Sequence, residues 1–261
     1  MEIEDSFMYR TLDKFIQQDL LDKNDNILVV CGGMTDQKVL EKHQFNDFTI
    51  SSLYDETIGN NISLCNYVKQ DAENLSYKNE SFDVVLVHAG LHHCYSPHHA
   101  LTEMYRTAKK RVIVFEAQDS WLMRRLIRFS TSLSYEVDAV AGGQSGGACN
   151  TTIPNYVYRW TKREVDKTIR SYDPLHIPKI HFETEFHFHD NFLSGYIGKK
   201  IFKGKGKRFL HFSFHFCFKV LNMVFGSQGN SFCFLIDKEN ARLHSWIKKE
   251  DDKYIFMENL V

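Results

Sequence analysis

The stretch Ile27 to Gln37, ILVVCGGMTDQ, constrains this chain more than any other, and Phe82 to Gly90, FDVVLVHAG, repeats its form. Each is a short run of aliphatic and β-branched residues that ends at small ones. A run too short for a helix and apolar on both faces fits a parallel strand buried between two layers of helices. Glycine at Gly32 and Gly33 lets the backbone turn sharply, and Thr35 to His43 then has helix-forming composition, so the unit reads strand, tight turn, helix. In open α/β sheets ligands sit beyond the carboxyl ends of the strands, where a helix start offers free N–H groups. A nucleotide-like ligand is the first expectation.

The rest of the first half alternates in the same way. Met8, Leu12, Phe15, Ile16 and Leu20 recur at helical spacing before the first strand. NDFTISSL from Asn46 and the segment Ser63 to Gln70 read as further strands, with the turn-rich YDETIGNN between them. Pro97 suits the first turn of a helix carrying Ala100, Leu101, Met104, Tyr105 and Ala108 on one stripe, and the basic AKKR suits its C-terminus. RVIVFEA is the next buried strand. This alternation predicts an α/β, doubly wound sheet, with residues 1–120 as its core.

Beyond Ala117 the texture changes. Trp121, Leu122, Leu126 and Phe129 against Arg124, Arg125 and Arg128 make a basic amphipathic helix, and AGGQSGGACN reads as a mobile loop of the kind that closes over ligands. Thr161 and Glu164 form a capping box that opens another helix. Residues 121–178 are therefore expected to be an insertion acting as a lid. Residues 179–261 are expected to complete the sheet, with IHFETEFHFHD as a half-exposed strand, FLHFSFHFCFKVLNMVF as a helix and SFCFLID as the last strand.

Composition excludes several classes. With 43% hydrophobic residues in 261, the chain can bury a real core, and 32 basic against 33 acidic residues give no polyanion-seeking bias, so no nucleic-acid partner is expected. Six scattered cysteines without a C-x-x-C pair suit a reducing cytoplasm, and the acidic MEIEDSFMYR predicts no signal peptide.

Taken in order, ILVVCGG, QDAENLSYKNESFDVVLVHAGLHH and ALTEMYRTAKKRVIVFEA resemble the class I S-adenosylmethionine-dependent methyltransferases, especially those acting on small molecules. The resemblance spans Asp25 to Ala117. It implies a Rossmann-like seven-stranded sheet with an antiparallel last strand, and S-adenosyl-L-methionine as cofactor. Cys31, Gly32 and Gly33 would then face the methionine part of the cofactor. Ser51 and Ser52 stand where the family usually has an acidic residue for the ribose, with Asp55 as a substitute a little further on. Asp71 and Ala72 match the adenine-recognising position, and Val87, His88 and Ala89 would lie near the transferable methyl.

Methyl transfer to an alcohol or phenol requires a proton acceptor, and His88, His92 and His93 are the candidates for it; transfer to an amine requires none. Hydroxyl, amide and aromatic groups around the glycine loop, Gln144, Ser145, Asn155, Tyr156, Tyr158 and Arg159, suit a polar acceptor such as a sugar or other glycan-like small molecule. Adjacent histidines point apart in an extended chain, and no closed four-ligand set is spaced for zinc, so no metal site is expected. KKIFKGKGKR, Lys199 to Arg208, is a solvated loop or a contact for anionic lipid or a diphosphate. Two other readings stay open: a catalytically silent relative kept for binding or scaffolding, and a nicotinamide-dependent oxidoreductase.

Overall fold

The computed structural model describes residues 3–53, 66–128, 134–186, 222–251 and 253–257. The two apolar runs that dominate the sequence become β1 (Ile27–Val30) and β4 (Phe82–His88), which pair in parallel with Ile27 opposite Val84 and Val30 opposite Val87. On the outer side of β1 lie β2 (Phe48–Ser52) and then β3 (Asn66–Lys69), both parallel. On the other side of β4 lies β5 (Ala108–Gln118), also parallel. A two-residue strand, β6 (Arg159–Trp160), joins the end of β5, and β7 (His176–Glu185) forms the far edge. Between β5 and β7 runs β8 (Ser231–Leu243), antiparallel to both. The main path is thus β3-β2-β1-β4-β5-β8-β7, a Rossmann-like sheet completed by an antiparallel strand as expected. A separate hairpin, β9 (Ile247–Glu250) with β10 (Lys253–Phe256), follows.

Period-two alternation sends each strand's residues to two cores. Leu28, Val30, Val85, Val87, Val112 and Val114 pack against α3 (Pro97–Thr107) and α5 (Lys162–Tyr172) through Leu101, Met104, Val165 and Ile169. Ile27, Val29, Val84, Leu86, Ile113 and Phe115 pack against α1 (Phe7–Gln17) and α2 (Met34–Lys42) through Leu12, Phe15, Val39 and Leu40. Both faces are covered, which is why Ile27 to Val30 and Val84 to Val87 carry no polar residue.

The caps follow the sequence. Thr161 accepts the Glu164 N–H at 3.1 Å, Glu164 reaches back to the Thr161 N–H at 3.4 Å, and Pro97 opens α3 after Ser96. The basic segment AKKR differs from expectation: α3 ends at Thr107, and residues 108–111 already belong to β5. Two of its charges are met by carboxylates from elsewhere in the fold. Lys110 bridges Asp25 at 2.7 Å and Asp83 at 3.1 Å, and Arg111 pairs with Glu239 at 2.8 Å. The Glu183 and Glu185 face of β7 is likewise not free, because α1 supplies Lys14 and Arg10 to it at 2.6 and 2.5 Å.

A short helix α4 (Trp121–Ile127) and a series of 3-10 turns through residues 138–150 make up the region between β5 and β6. Among the described residues no helix is long and apolar enough to cross a membrane. Asp55, Lys199–Arg208 and residues 209–221, the greater part of the expected phenylalanine-rich helix, lie outside the described residues.

Candidate active site

The carboxyl ends of β1 and β4 are adjacent, and each strand ends on a residue that is not glycine yet adopts left-handed backbone: Cys31 at φ 51° and Ala89 at φ 52°. Such residues are sparse, because Cβ crowds the backbone there, and they concentrate at functional sites. Both chains therefore turn away abruptly, and a cavity of about 200 Å³ opens between them. Its walls include Cys31, Asp71, Ala72, Ala89 and His93, with Cys149 and Asn150 from the region between β5 and β6.

The two glycines after Cys31 serve different purposes. A Cβ on Gly32 would stand 2.6 Å from Val29 Cγ1 and 2.9 Å from Ile50 Cγ2, so Gly32 is small because it presses into the sheet core. Its N–H donates to the Ser51 carbonyl, and its own carbonyl accepts the Tyr67 hydroxyl at 2.8 Å. Gly33 has open space where its Cβ would be, and its N–H at the start of α2 is taken by Asp36 at 2.8 Å. Gly90 must be small because a Cβ there would lie 2.4 Å from that of Cys31.

Asp36, buried in the first turn of α2, also meets His88 Nδ1 at 3.1 Å. His88 is thus tied to a helix start. Ser51 is buried and its hydroxyl donates to the Val29 carbonyl at 3.0 Å, away from the cavity, whereas Ser52 lines it. Asp71 accepts the Glu73 N–H at 2.9 Å and so is held in a turn that presents it along the cavity wall. Glu73 in turn accepts the N–H groups of Tyr95 and Ser96 at 2.9 and 2.8 Å, tying that wall to the loop before α3.

Leu91, His92 and His93 form a 3-10 turn, not an extended segment, and this brings the two imidazoles side by side with ring centres 4.5 Å apart. Glu116, at the end of β5, accepts the Leu91 N–H at 2.7 Å and lies 2.7 Å from His92 Nδ1. Glu136, from the region between β5 and β6, faces both rings: 3.4 Å to His92 Nε2 and 3.5 Å to His93 Nε2. Burial works against a charge on His92, but the Glu116 and Glu136 carboxylates outweigh it and push its pKa up to about 10. Burial lowers the His93 pKa, and the neighbouring His92 charge lowers it further. Hydrogen bonding to His92 holds the Glu136 carboxyl below its usual range, against burial.

Of the residues singled out around the glycine loop, Asn155 reaches this cluster, its amide donating to the His92 carbonyl at 3.4 Å. Tyr158 bonds Glu164 at the start of α5, where burial and that carboxylate raise its pKa, and it lies 3.3 Å from His98. Arg159 donates to the Val157 carbonyl, Tyr156 pairs with Tyr135, and Gln144 and Ser145 are exposed. Asp36, Glu116 and Glu136 were not singled out in the sequence. Only Glu116 carried a signal: it is the one acidic residue of RVIVFEA and directly follows the apolar run Val112 to Phe115.

Residues 31–115 match a family described as a methyltransferase domain. These residues form a methyltransferase domain, and the sheet around them has the fold of the S-adenosylmethionine-dependent methyltransferases. S-adenosylmethionine is the cofactor such a domain implies, and the cavity's own lining fits a nucleoside: the Asp71 carboxylate, the small residues Ala72 and Ala89, and the Ser52 hydroxyl. Among solved structures the chain resembles a proposed methyltransferase from Bacillus halodurans at 15% identity and TM-score 0.51, covering 89% of this chain and 98% of that one. A SAM-dependent methyltransferase from Archaeoglobus fulgidus matches at 12% and 0.52, covering 91% and 95%. The [4+2]-cyclase SpnF matches at 15% and 0.51, covering 88% and 80%, so likeness at this level speaks for the fold and leaves the acceptor open. No curated protein matches the chain.

Proposed function

We propose that this methyltransferase methylates an oxygen of a small, polar, glycan-like acceptor, which sits between the cofactor cavity and the region 121–158 acting as its cap. The observation that carries the reading is one juxtaposition: Asp71, Cys31, Ala89 and His93 bound the same cavity at the ends of β1 and β4, and residues 149 and 150 of the cap close it. When bound, S-adenosylmethionine supplies an electrophilic methyl group to the acceptor. Asp71 and Ala72 hold the adenine, the open start of α2 at Gly33 meets the methionine end, and Ser52 stands on the ribose side. His88, tied to Asp36, positions the β4 exit. An acceptor hydroxyl loses its proton toward the His92, His93 and Glu136 cluster, which stands beside the cavity and would be superfluous for an amine. Asn155 orients that cluster, while Gln144, Ser145 and Tyr156 offer polar contacts along the cap.

The test is transfer of labelled methyl from S-adenosylmethionine to a panel of sugars, phenols, other alcohols and amines. Label on oxygen, falling about a hundredfold in His93→Ala, is the expected outcome, the usual upper range for losing a proton-handling group being about 10²–10⁴. Label on nitrogen, or His93→Ala at full activity, would remove the oxygen assignment while leaving the family intact.

A further inference from the structure

The contacts around His92 and His93 leave a charge unaccounted for. Glu116 and the Gly147 carbonyl can only accept hydrogen bonds, so the Nδ1 atoms that face them, at 2.7 and 3.3 Å, are the protonated ones. In the neutral tautomers both Nε2 atoms then present lone pairs, and both face the Glu136 carboxylate. Three electron-rich groups converge with nothing between them, every ligand atom within 4.8 Å of the others. Protons on both Nε2 atoms would set two imidazolium rings 4.5 Å apart; a proton on His92 Nε2 alone would meet Glu136 at 3.4 Å, beyond the roughly 2.7–2.9 Å of a charge-assisted N–H···O bond, and would leave the His93 lone pair facing the carboxylate at 3.5 Å.

A metal ion resolves these contacts together. Ligand atoms about 2.0–2.1 Å from a tetrahedral zinc lie roughly 3.4 Å from one another; the two oxygens of Glu136 stand 3.4 and 3.5 Å from the two Nε2 atoms, and one ligand atom from each residue falls within 4.8 Å of the others. Two histidines and one carboxylate leave a fourth position open, and each histidine has the outer partner that fixes a ligating imidazole: Glu116 on one, the Gly147 carbonyl on the other. Asn155 touches the cluster and is 2% exposed, yet its Oδ1 finds no hydrogen-bond partner among the described residues. We propose that His92, His93 and Glu136 bind a divalent cation of the zinc type, clipping the cap to the exit of β4. With the cation bound, polarisation of an acceptor oxygen at the open position would replace proton uptake by the imidazoles; that role rests on the proposed O-methylation, and the binding of the cation does not.

Full-length protein stripped with chelator is titrated with Zn²⁺ against a chromophoric competitor, and metal content is measured after gel filtration. One equivalent per chain is expected. Glu136→Gln and His93→Ala weaken binding at least about a hundredfold, and Glu116→Gln by about 10–100-fold, the range for an outer partner of a ligand. Glu136 is a third exposed, so Glu136→Gln keeps its fold, and a thermal melt in chelator verifies this. Co²⁺ substitution excludes the nearby cysteines: its spectrum should lack thiolate charge-transfer bands. No retained equivalent, unchanged binding in Glu136→Gln, or a thiolate spectrum overturns the site. Binding of S-adenosylmethionine, measured separately on the same stripped protein, distinguishes that result from failure of the methyltransferase reading.

Discussion

His43 and His92 are equally buried, 5% and 7% exposed, and their pKa values move in opposite directions. His43, after α2, stacks on Tyr9 at 4.0 Å, and its Nε2 lies 3.1 Å from the Tyr9 carbonyl; burial dominates and lowers its pKa. His92, past β4, has a carboxylate on either side, and its pKa is about 10. Burial alone does not decide the state of a histidine; what it is buried against does. The lesson separates a core histidine that packs from one that gathers charge at the exit of the sheet.

The largest expected effect is at Glu116. Glu116→Ala leaves the Leu91 N–H and a buried imidazole without their acceptor, and should lower unfolding free energy by about 3–5 kcal/mol in a denaturant titration. A loss under about 1 kcal/mol would mean that the pair at His92 is no stronger than an exposed one. Next is Asp36, which serves both the Gly33 N–H and the partly exposed His88; Asp36→Ala should cost about 0.5–2 kcal/mol, the value of a helix cap, by the same measurement. Equal losses at Asp36 and Glu116 would erase the distinction between exposed and buried pairs.

A smaller effect is the pH dependence at His43. Its folded pKa lies below its unfolded value of 6.5, so the folded state binds that proton less readily than the unfolded chain. Its contribution is fully present above pH 6.5 and is lost as pH falls through that value toward the lower folded one. His43→Gln should therefore flatten the acid limb of the stability profile below pH 6.5, and an unchanged acid limb would contradict the direction assigned to it.

The sheet was legible because the centres of β1, β4 and β5 are buried on both faces and carry that burial as the apolar runs ILVV, VVLV and VIVF. Capping at Thr161 and Pro97 was equally local and equally readable. AKKR was not: a basic run resembles a helix end, and its partners Asp25, Asp83 and Glu239 come from distant parts of the chain. The site was half legible for the same reason. Asp71 and the glycine turn stand in a sequential order that a family resemblance can carry, whereas Glu136 meets His92 and His93 only once the region between β5 and β6 has folded back. Likewise Gly32 could be seen as a turn, but its role as the residue that fits against Val29 and Ile50 needs the neighbouring strand.

The central claim is that the cavity between the β1 and β4 exits holds the cofactor with Asp71 at the adenine. Isothermal titration of S-adenosylmethionine, and of its demethylated product, into wild type and Asp71→Ala tests it most directly. One site per chain is predicted, weakened about ten- to a hundredfold by the substitution, the worth of a hydrogen bond to a charged group. Absence of binding at millimolar ligand, or equal affinity in the two proteins, would contradict it.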